Sequence, residues 1–231
     1  MPRSVVSRPG PRCPGCRMPP RWCICEGLRP LACPLGIDIL MHFCEANRPS
    51  STGHLLHRLI PDSRIHIGGG GRQPDCFQIL RPGKTLWILH PRGELPPPDA
   101  VPENLQVLLI DGSWKQAADL MRSAHPLGKT IRLPMSGGSR YWLRAQQDEG
   151  KFSTIEALLF LLSTLGLHRE EQQLRLEFEL HVYAGLLARG RPPDARRFLV
   201  DSPIRTAFPD LVARLDPWRP IAPPIQPPPA P

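Results

Sequence analysis

The stretch Leu105-Gln-Val-Leu-Leu-Ile110, and the way it ends, constrains the fold more than any other part of the chain. It is apolar, partly β-branched and bounded by polar residues, as a buried strand is. It passes through Asp111-Gly112-Ser113 directly into a helical stretch from Trp114 to Ala124. The same alternation recurs on both sides of it. Ile37–His42 reads as a buried strand, followed by a short helix around Gly53 to Leu59. Arg64–Ile67, Thr85–Leu89 and Thr130–Leu133 are further strand candidates, the last ending at Pro134, and helices follow near Thr154–Leu165 and Glu170–Ala188. This order predicts an α/β domain with a mainly parallel sheet and ligand loops at the C-terminal ends of its strands.

The two ends of the 231-residue chain do not share the pattern. Residues 1–34 are rich in Pro, Arg and Cys and have neither helical nor strand period. From Pro217 onward the chain is mostly proline and alanine, too poor in apolar surface to fold, so 217–231 is expected to be a disordered tail. The expected organisation is a small N-terminal module over 1–34, a main domain over 35–216 and the tail.

Four cysteines give the N-terminal module its chemistry: Cys13-Pro-Gly-Cys16, then Cys23-Ile-Cys25 after six intervening residues. A C-x2-C turn presents two thiolates to one metal, and the nearby C-x-C completes a tetrahedral set. So short a segment has little core of its own, and a structural Zn2+ would supply its folding energy. Disulfides are the competing reading. They are disfavoured because no apolar stretch resembling a secretory signal precedes the cysteines and cytosolic thiols stay reduced. Cys33, Cys44 and Cys76 read as small buried hydrophobes, with Cys33 a remote substitute ligand.

Charge narrows the partners. The net charge is +8 and nearly all of the positive charge is arginine, the lysines being Lys84, Lys115, Lys129 and Lys151. A polyanion such as RNA would bind by counterion release. An Arg-, Pro- and Ala-biased proteome explains the same excess. No apolar run is long enough to span a bilayer, and Ala157–Leu162 reads as a buried helix face, so the expected setting is cytoplasmic.

Several short segments can carry chemistry. Asp111 stands where a parallel sheet meets its ligand, and Gly112 allows close backbone approach. Capping of the following helix by Asp111 or Ser113 explains the turn as well as a functional acid does, and Trp114 reads as core before it reads as a stacking platform. The loop Leu133–Arg144 joins glycines, hydroxyls, aromatic rings and two arginines. Ser153-Thr-Ile-Glu156 fits a capping box, and its helix start also suits an anionic group such as an amino-acid carboxylate. His42 and Glu45 precede Arg48-Pro-Ser-Ser-Thr-Gly53 and read as a satisfied polar pair before acid–base or metal groups. Gly68–Gly71 is a loop without the Lys-Ser/Thr of a P-loop.

In their order, these segments resemble the DTW-domain family, from about Cys13 to Leu187. The resemblance rests on the cysteine array, the His42-x-x-Glu45 and Arg48–Gly53 block, and Asp111-Gly112-Ser113-Trp114 in place of Asp-Gly-Thr-Trp. It continues through Ser139-x-Tyr141-x-x-Arg144 and Ser153-Thr154-x-Glu156-Ala157. Ser113 keeps the hydroxyl of the usual Thr and loses its methyl. The resemblance implies a SPOUT-like catalytic domain with a C-terminal trefoil knot around S-adenosylmethionine. It implies transfer of the 3-amino-3-carboxypropyl group to N3 of a tRNA uridine, leaving methylthioadenosine. The expected catalytic residues are Asp111, as general base, Ser113 and Trp114. The expected cofactor-binding residues are Gly112, Ser139, Tyr141, Arg144, Ser153, Thr154 and Glu156, with Tyr141 or Trp114 stacking on a base. A SPOUT-type RNA methyltransferase and a non-catalytic zinc-ribbon RNA-binding module are the rival readings.

Overall fold

A computed structural model describes residues 10–72, 76–144 and 150–216, so the proline-rich stretch 217–231 lies outside the described residues. Five strands form one all-parallel sheet: β1 (Gly36–His42), β2 (Arg64–Gly68), β3 (Thr85–Glu94), β4 (Leu105–Asp111) and β5 (Lys129–Ile131). Their order across the sheet is β2-β1-β4-β3-β5. The helices are α1 (Thr52–Leu59), α2 (Cys76–Ile79), α3 (Trp114–Ala124), α4 (Thr154–Thr164), α5 (His168–Ala188), α6 (Pro192–Val200), α7 (Ile204–Ala207) and α8 (Pro209–Leu215). None of the described helices is long and apolar enough to cross a membrane. The α/β architecture and parallel sheet expected from the alternation are both present.

The central strands show why their sequences read so clearly. Every residue of β1 is buried, and of β4 all but the half-buried Ile110. Alternate side chains enter two cores, as the two-residue strand period requires. Ile37, Ile39, Met41, Val107 and Leu109 face the larger core, built with α1, α4 and α5. Leu40, Leu108 and Ile88 face the smaller one, under Leu120, Met121 and Ala124 of α3. Helix α4 buries Ile155, Leu158, Leu159, Leu161 and Leu162. Each such side chain contributes about 1.5–3 kcal/mol by leaving water.

Strand β3 runs to Glu94, beyond the expected Leu89, because its pairing with β5 shifts register between Leu89 and Glu94. Strand β5 stops at Ile131 rather than Leu133. The glycine run ends β2 in a turn whose Gly69, Gly70 and Gly71 all have positive φ. Helices α2, α6, α7 and α8 carry no clear period in the sequence. Three of them, α2, α7 and α8, are of seven residues or fewer, and α6 and α8 begin on proline.

The N-terminal segment does not stand apart from the rest. Met18, Ile24 and Leu31 belong to the same buried cluster as Phe178, Leu180 and Leu211. Arg29 N donates to Glu177 Oε1 at 3.0 Å, and Arg214 Nη2 to the Cys23 carbonyl at 2.7 Å. Its cysteines are thus held on the main core.

Candidate active site and metal centre

Strands β1 and β4 are neighbours whose onward connections leave toward opposite edges, to β2 and to β5. The crevice between their C-terminal ends is where an open parallel sheet binds ligands. Asp111 stands there, paired in register with Met41.

Asp111 is 5% exposed. Its Oδ2 accepts from Ser51 Oγ at 2.8 Å and its Oδ1 from Thr154 Oγ1 at 2.7 Å. Ser51 is the N-cap of α1 and Thr154 the first residue of α4, so one carboxylate ties two helix starts to the end of β4. Gly53 makes this approach possible: a Cβ there would lie 2.8 Å from Asp111 Oδ2 and 2.9 Å from Met41 Cε. The helix cap is Ser113, in a complete capping box with Gln116, and not Asp111.

Two cavities open beside this point. One, of about 400 Å3, is largely apolar, with Leu89, Pro91, Ile131, Leu133, Met135 and Ala118 among its walls together with Ser153 and Thr154. The other, of about 790 Å3, is polar and charged, and brings together Glu45, Arg48, Asp111, Arg144, Lys151 and Arg189. Gly112, Trp114 and Arg144 border both. Both volumes suit a ligand of cofactor or nucleoside size.

Trp114 corrects an expectation. It is 48% exposed and not core, because the first turn of α3 projects over the cavities while Leu120, Met121 and Ala124 face the sheet. Tyr141 borders the polar cavity but is only 8% exposed; its ring stacks on Phe178, with the Arg144 guanidinium 5.5 Å from its centroid, and its hydroxyl donates to the Ser50 carbonyl. Burial also raises the proton affinity of that phenol. Ser113 borders the polar cavity as an exposed cap.

Ser139 and Glu156 line neither cavity, and are bonded to each other. Glu156 completes the expected capping box with Ser153. Its two oxygens also accept from Ser139 Oγ at 3.0 Å, and Oε1 accepts from Arg140 N at 2.7 Å. The loop carrying Tyr141 and Arg144 is thereby fastened to the start of α4.

His42 and Glu45 do not pair with each other. His42 Nδ1 accepts from Cys44 N, whereas Glu45 Oε1 accepts from Arg48 Nη1 at 2.7 Å. Burial raises the proton affinity of Glu45; Arg48 opposes the shift, Asp111 adds to it, and Arg144 opposes it more weakly. Arg189 had no distinguishing sequence signal, lying just beyond α5, yet it borders the same cavity and donates to the Leu143 carbonyl.

The four N-terminal cysteines converge as their spacing predicts. All four sulfurs lie within 4.8 Å of one another, with Cys13–Cys25 at 3.5 Å and Cys16–Cys23 at 3.7 Å. A tetrahedral tetrathiolate with bonds of about 2.3 Å has edges of about 3.8 Å, so the array fits one ion. A backbone N–H from Cys16 draws the Cys13 thiol down to about 6, whereas burial pushes the Cys23 and Cys25 thiols up, so the four are not uniformly thiolate until a cation joins them. Gly15 leaves room for the sulfurs, since a Cβ there would meet Cys25 Sγ at 3.0 Å. Cys33 lies outside this group, and Cys44 is exposed, not buried as expected, because it sits on the turn after β1. The side chain of Cys76 lies outside the described residues.

Comparison with known proteins identifies the family. The model of the DTW domain matches residues 10–185. The tRNA-uridine aminocarboxypropyltransferase 2 of Mus musculus is 31% identical over 176 residues, which cover 67% of this chain and 56% of the relative. Its namesake in Macaca fascicularis is 29% identical over 178 residues, with the same coverage. That of Drosophila melanogaster is 30% identical over 175 residues, 70% of this chain and 69% of the relative. The chain thus spans about half the length of the mammalian relatives it matches. No solved structure matches it significantly. The cysteine array, the Asp111–Trp114 turn and the capped start of α4 all fall within the matched region, and the chain belongs to the DTW-domain family.

Proposed function

We propose that this protein transfers the 3-amino-3-carboxypropyl group of S-adenosylmethionine to N3 of a uridine in tRNA, in the cytoplasm, releasing methylthioadenosine. The observation that carries the reading is the pair of unlike cavities meeting across Gly112, Trp114 and Arg144 beside a buried carboxylate. The names of the relatives support the reaction.

In this reading the apolar cavity takes the adenosine and the polar cavity takes the unpaired uracil. The exposed ring of Trp114 stacks on a base at their border. Arg144 and the free N–H groups at the start of α4 receive the carboxylate of the amino-acid arm. A sulfonium has three carbons open to attack, so placement of the γ-carbon against N3 selects the product. The N3–Cγ bond forms as the Cγ–S bond breaks; its electron pair stays on sulfur, and the N3 proton passes to Asp111. Each Asp111 oxygen accepts one hydroxyl hydrogen bond, leaving a lone pair for that proton. Cys13, Cys16, Cys23 and Cys25 would hold Zn2+, which would supply a cross-link and no chemistry at the uridine.

Nucleoside mass spectrometry of unmodified tRNA, after incubation with protein and S-adenosylmethionine, tests the reading. The expected product is a uridine heavier by one aminocarboxypropyl group. A methylated nucleoside would sink the reaction while keeping the donor. In the same assay Asp111→Asn should lower kcat by about 10²-fold or more and flatten its pH dependence; full activity with an unchanged profile would remove Asp111 as base.

A further inference from the structure

The amino-acid arm of the donor is a zwitterion, and the two cavities differ in what they offer its charges. His90, Arg92 and Arg144 border the apolar cavity, but no carboxylate is among its lining residues. An ammonium held there would have no anionic partner. The polar cavity has two acids, Asp111 and Glu45.

These acids are differently committed. Both oxygens of Asp111 are engaged by Ser51 and Thr154, and its remaining capacity is taken by the N3 proton. Glu45 is 9% exposed, and among the described residues its carboxylate accepts one hydrogen bond, on Oε1, from an Arg48 that is itself mostly exposed. A carboxylate so poorly solvated gains from a second cation. Across the same cavity, within electrostatic reach of Glu45, stands Arg144, which also borders the apolar cavity.

We propose that Glu45 and Arg144 form a receiver for an α-amino-acid zwitterion, Glu45 taking the ammonium and Arg144 the carboxylate. The assignment rests on the proposed function and deepens it. An arm drawn across the border by both charges leaves its γ-carbon, rather than the methyl group, facing the uracil beside Asp111. Glu45 is then a specificity determinant for which sulfonium carbon is delivered. A purely structural Glu45 would close its turn through Arg48 and be indifferent to the ligand's amino group.

Calorimetric titration of the full chain with three adenosine thioethers separates these roles. S-adenosylhomocysteine carries the whole arm, its deaminated analogue keeps only the carboxylate, and methylthioadenosine has neither charge. The wild type should bind S-adenosylhomocysteine about tenfold to a hundredfold more tightly than the deaminated analogue, as a charge-assisted hydrogen bond allows. Glu45→Gln, which still offers Arg48 an oxygen, should lose that preference and keep its affinity for methylthioadenosine. Arg144→Gln should weaken both carboxylate-bearing ligands alike. A preference that survives in Glu45→Gln would overturn the proposal, as would a parallel loss of methylthioadenosine binding. Wild-type protein that binds none of the three would instead bring down the proposed function, and this assignment with it.

Discussion

Buried ionisable residues couple the stability of this protein to pH, and Glu177 on α5 is a clear case. Its Oε1 accepts from Arg29 N, whereas Oε2 is buried without a partner among the described residues. Desolvation pushes its carboxyl from 4.5 up to about 7, against the opposing pull of Arg29 and Arg58. Between those two values the unfolded chain has released the proton and the folded chain still holds it. Stability therefore falls as pH rises through this window. Glu177→Gln keeps an acceptor for Arg29 and removes the ionisation. Urea melts at pH 5 and pH 8 should show the variant gaining on the wild type at the higher pH; an equal difference at both would contradict the assignment. At this same scale Trp114 and Tyr141 depart from simple expectation, one ring being open and the other enclosed. Aromatic residue type alone says nothing about which way a ring points.

At the scale of elements, the start of α4 organises the site. Its capping box was legible from Ser153 and Glu156 three residues apart. The spacing could not show that Glu156 also accepts from Ser139 and Arg140, holding the Tyr141–Arg144 loop in place. Removing one partner of a buried, charge-assisted network costs more than losing a helix cap. Glu156→Ala should destabilise the protein by about 3 kcal/mol, against about 1 kcal/mol for an ordinary cap. Equilibrium urea unfolding checks this, and a loss no larger than a cap's would mean the loop is held elsewhere. Strands β1 and β4 were legible because burial on both faces leaves a continuous apolar run, whereas α7 and α8 are too short for a period to register.

For the molecule as a whole, the cysteine array is a fastening of the N-terminal segment to the domain core. Met18 and Ile24 are buried with residues of α5 and α8, so a loosened array would expose part of the common core. Chelation should release one Zn2+ per chain and lower the melting temperature, and excess Zn2+ should restore it. A chelator that releases zinc without shifting the melt would show that packing alone holds the segment.

The sequence by itself determined the parallel α/β plan, the four-thiolate array and the cap of α4, because these depend on short-range spacing along the chain, whereas the choice of Ser113 over Asp111 as the cap of α3 came from the structure. A buried strand needs a continuous apolar run, a tetrahedral site needs its sulfurs close together, and a cap needs a partner three residues away. Tertiary structure decided the rest. Ser51, Asp111 and Thr154 meet only because α1 and α4 both start at the end of β4, and Glu45 shares a cavity with Arg144 and Arg189 only through the folding of distant segments. Such meetings are set by the packing of whole elements, and no local pattern encodes them.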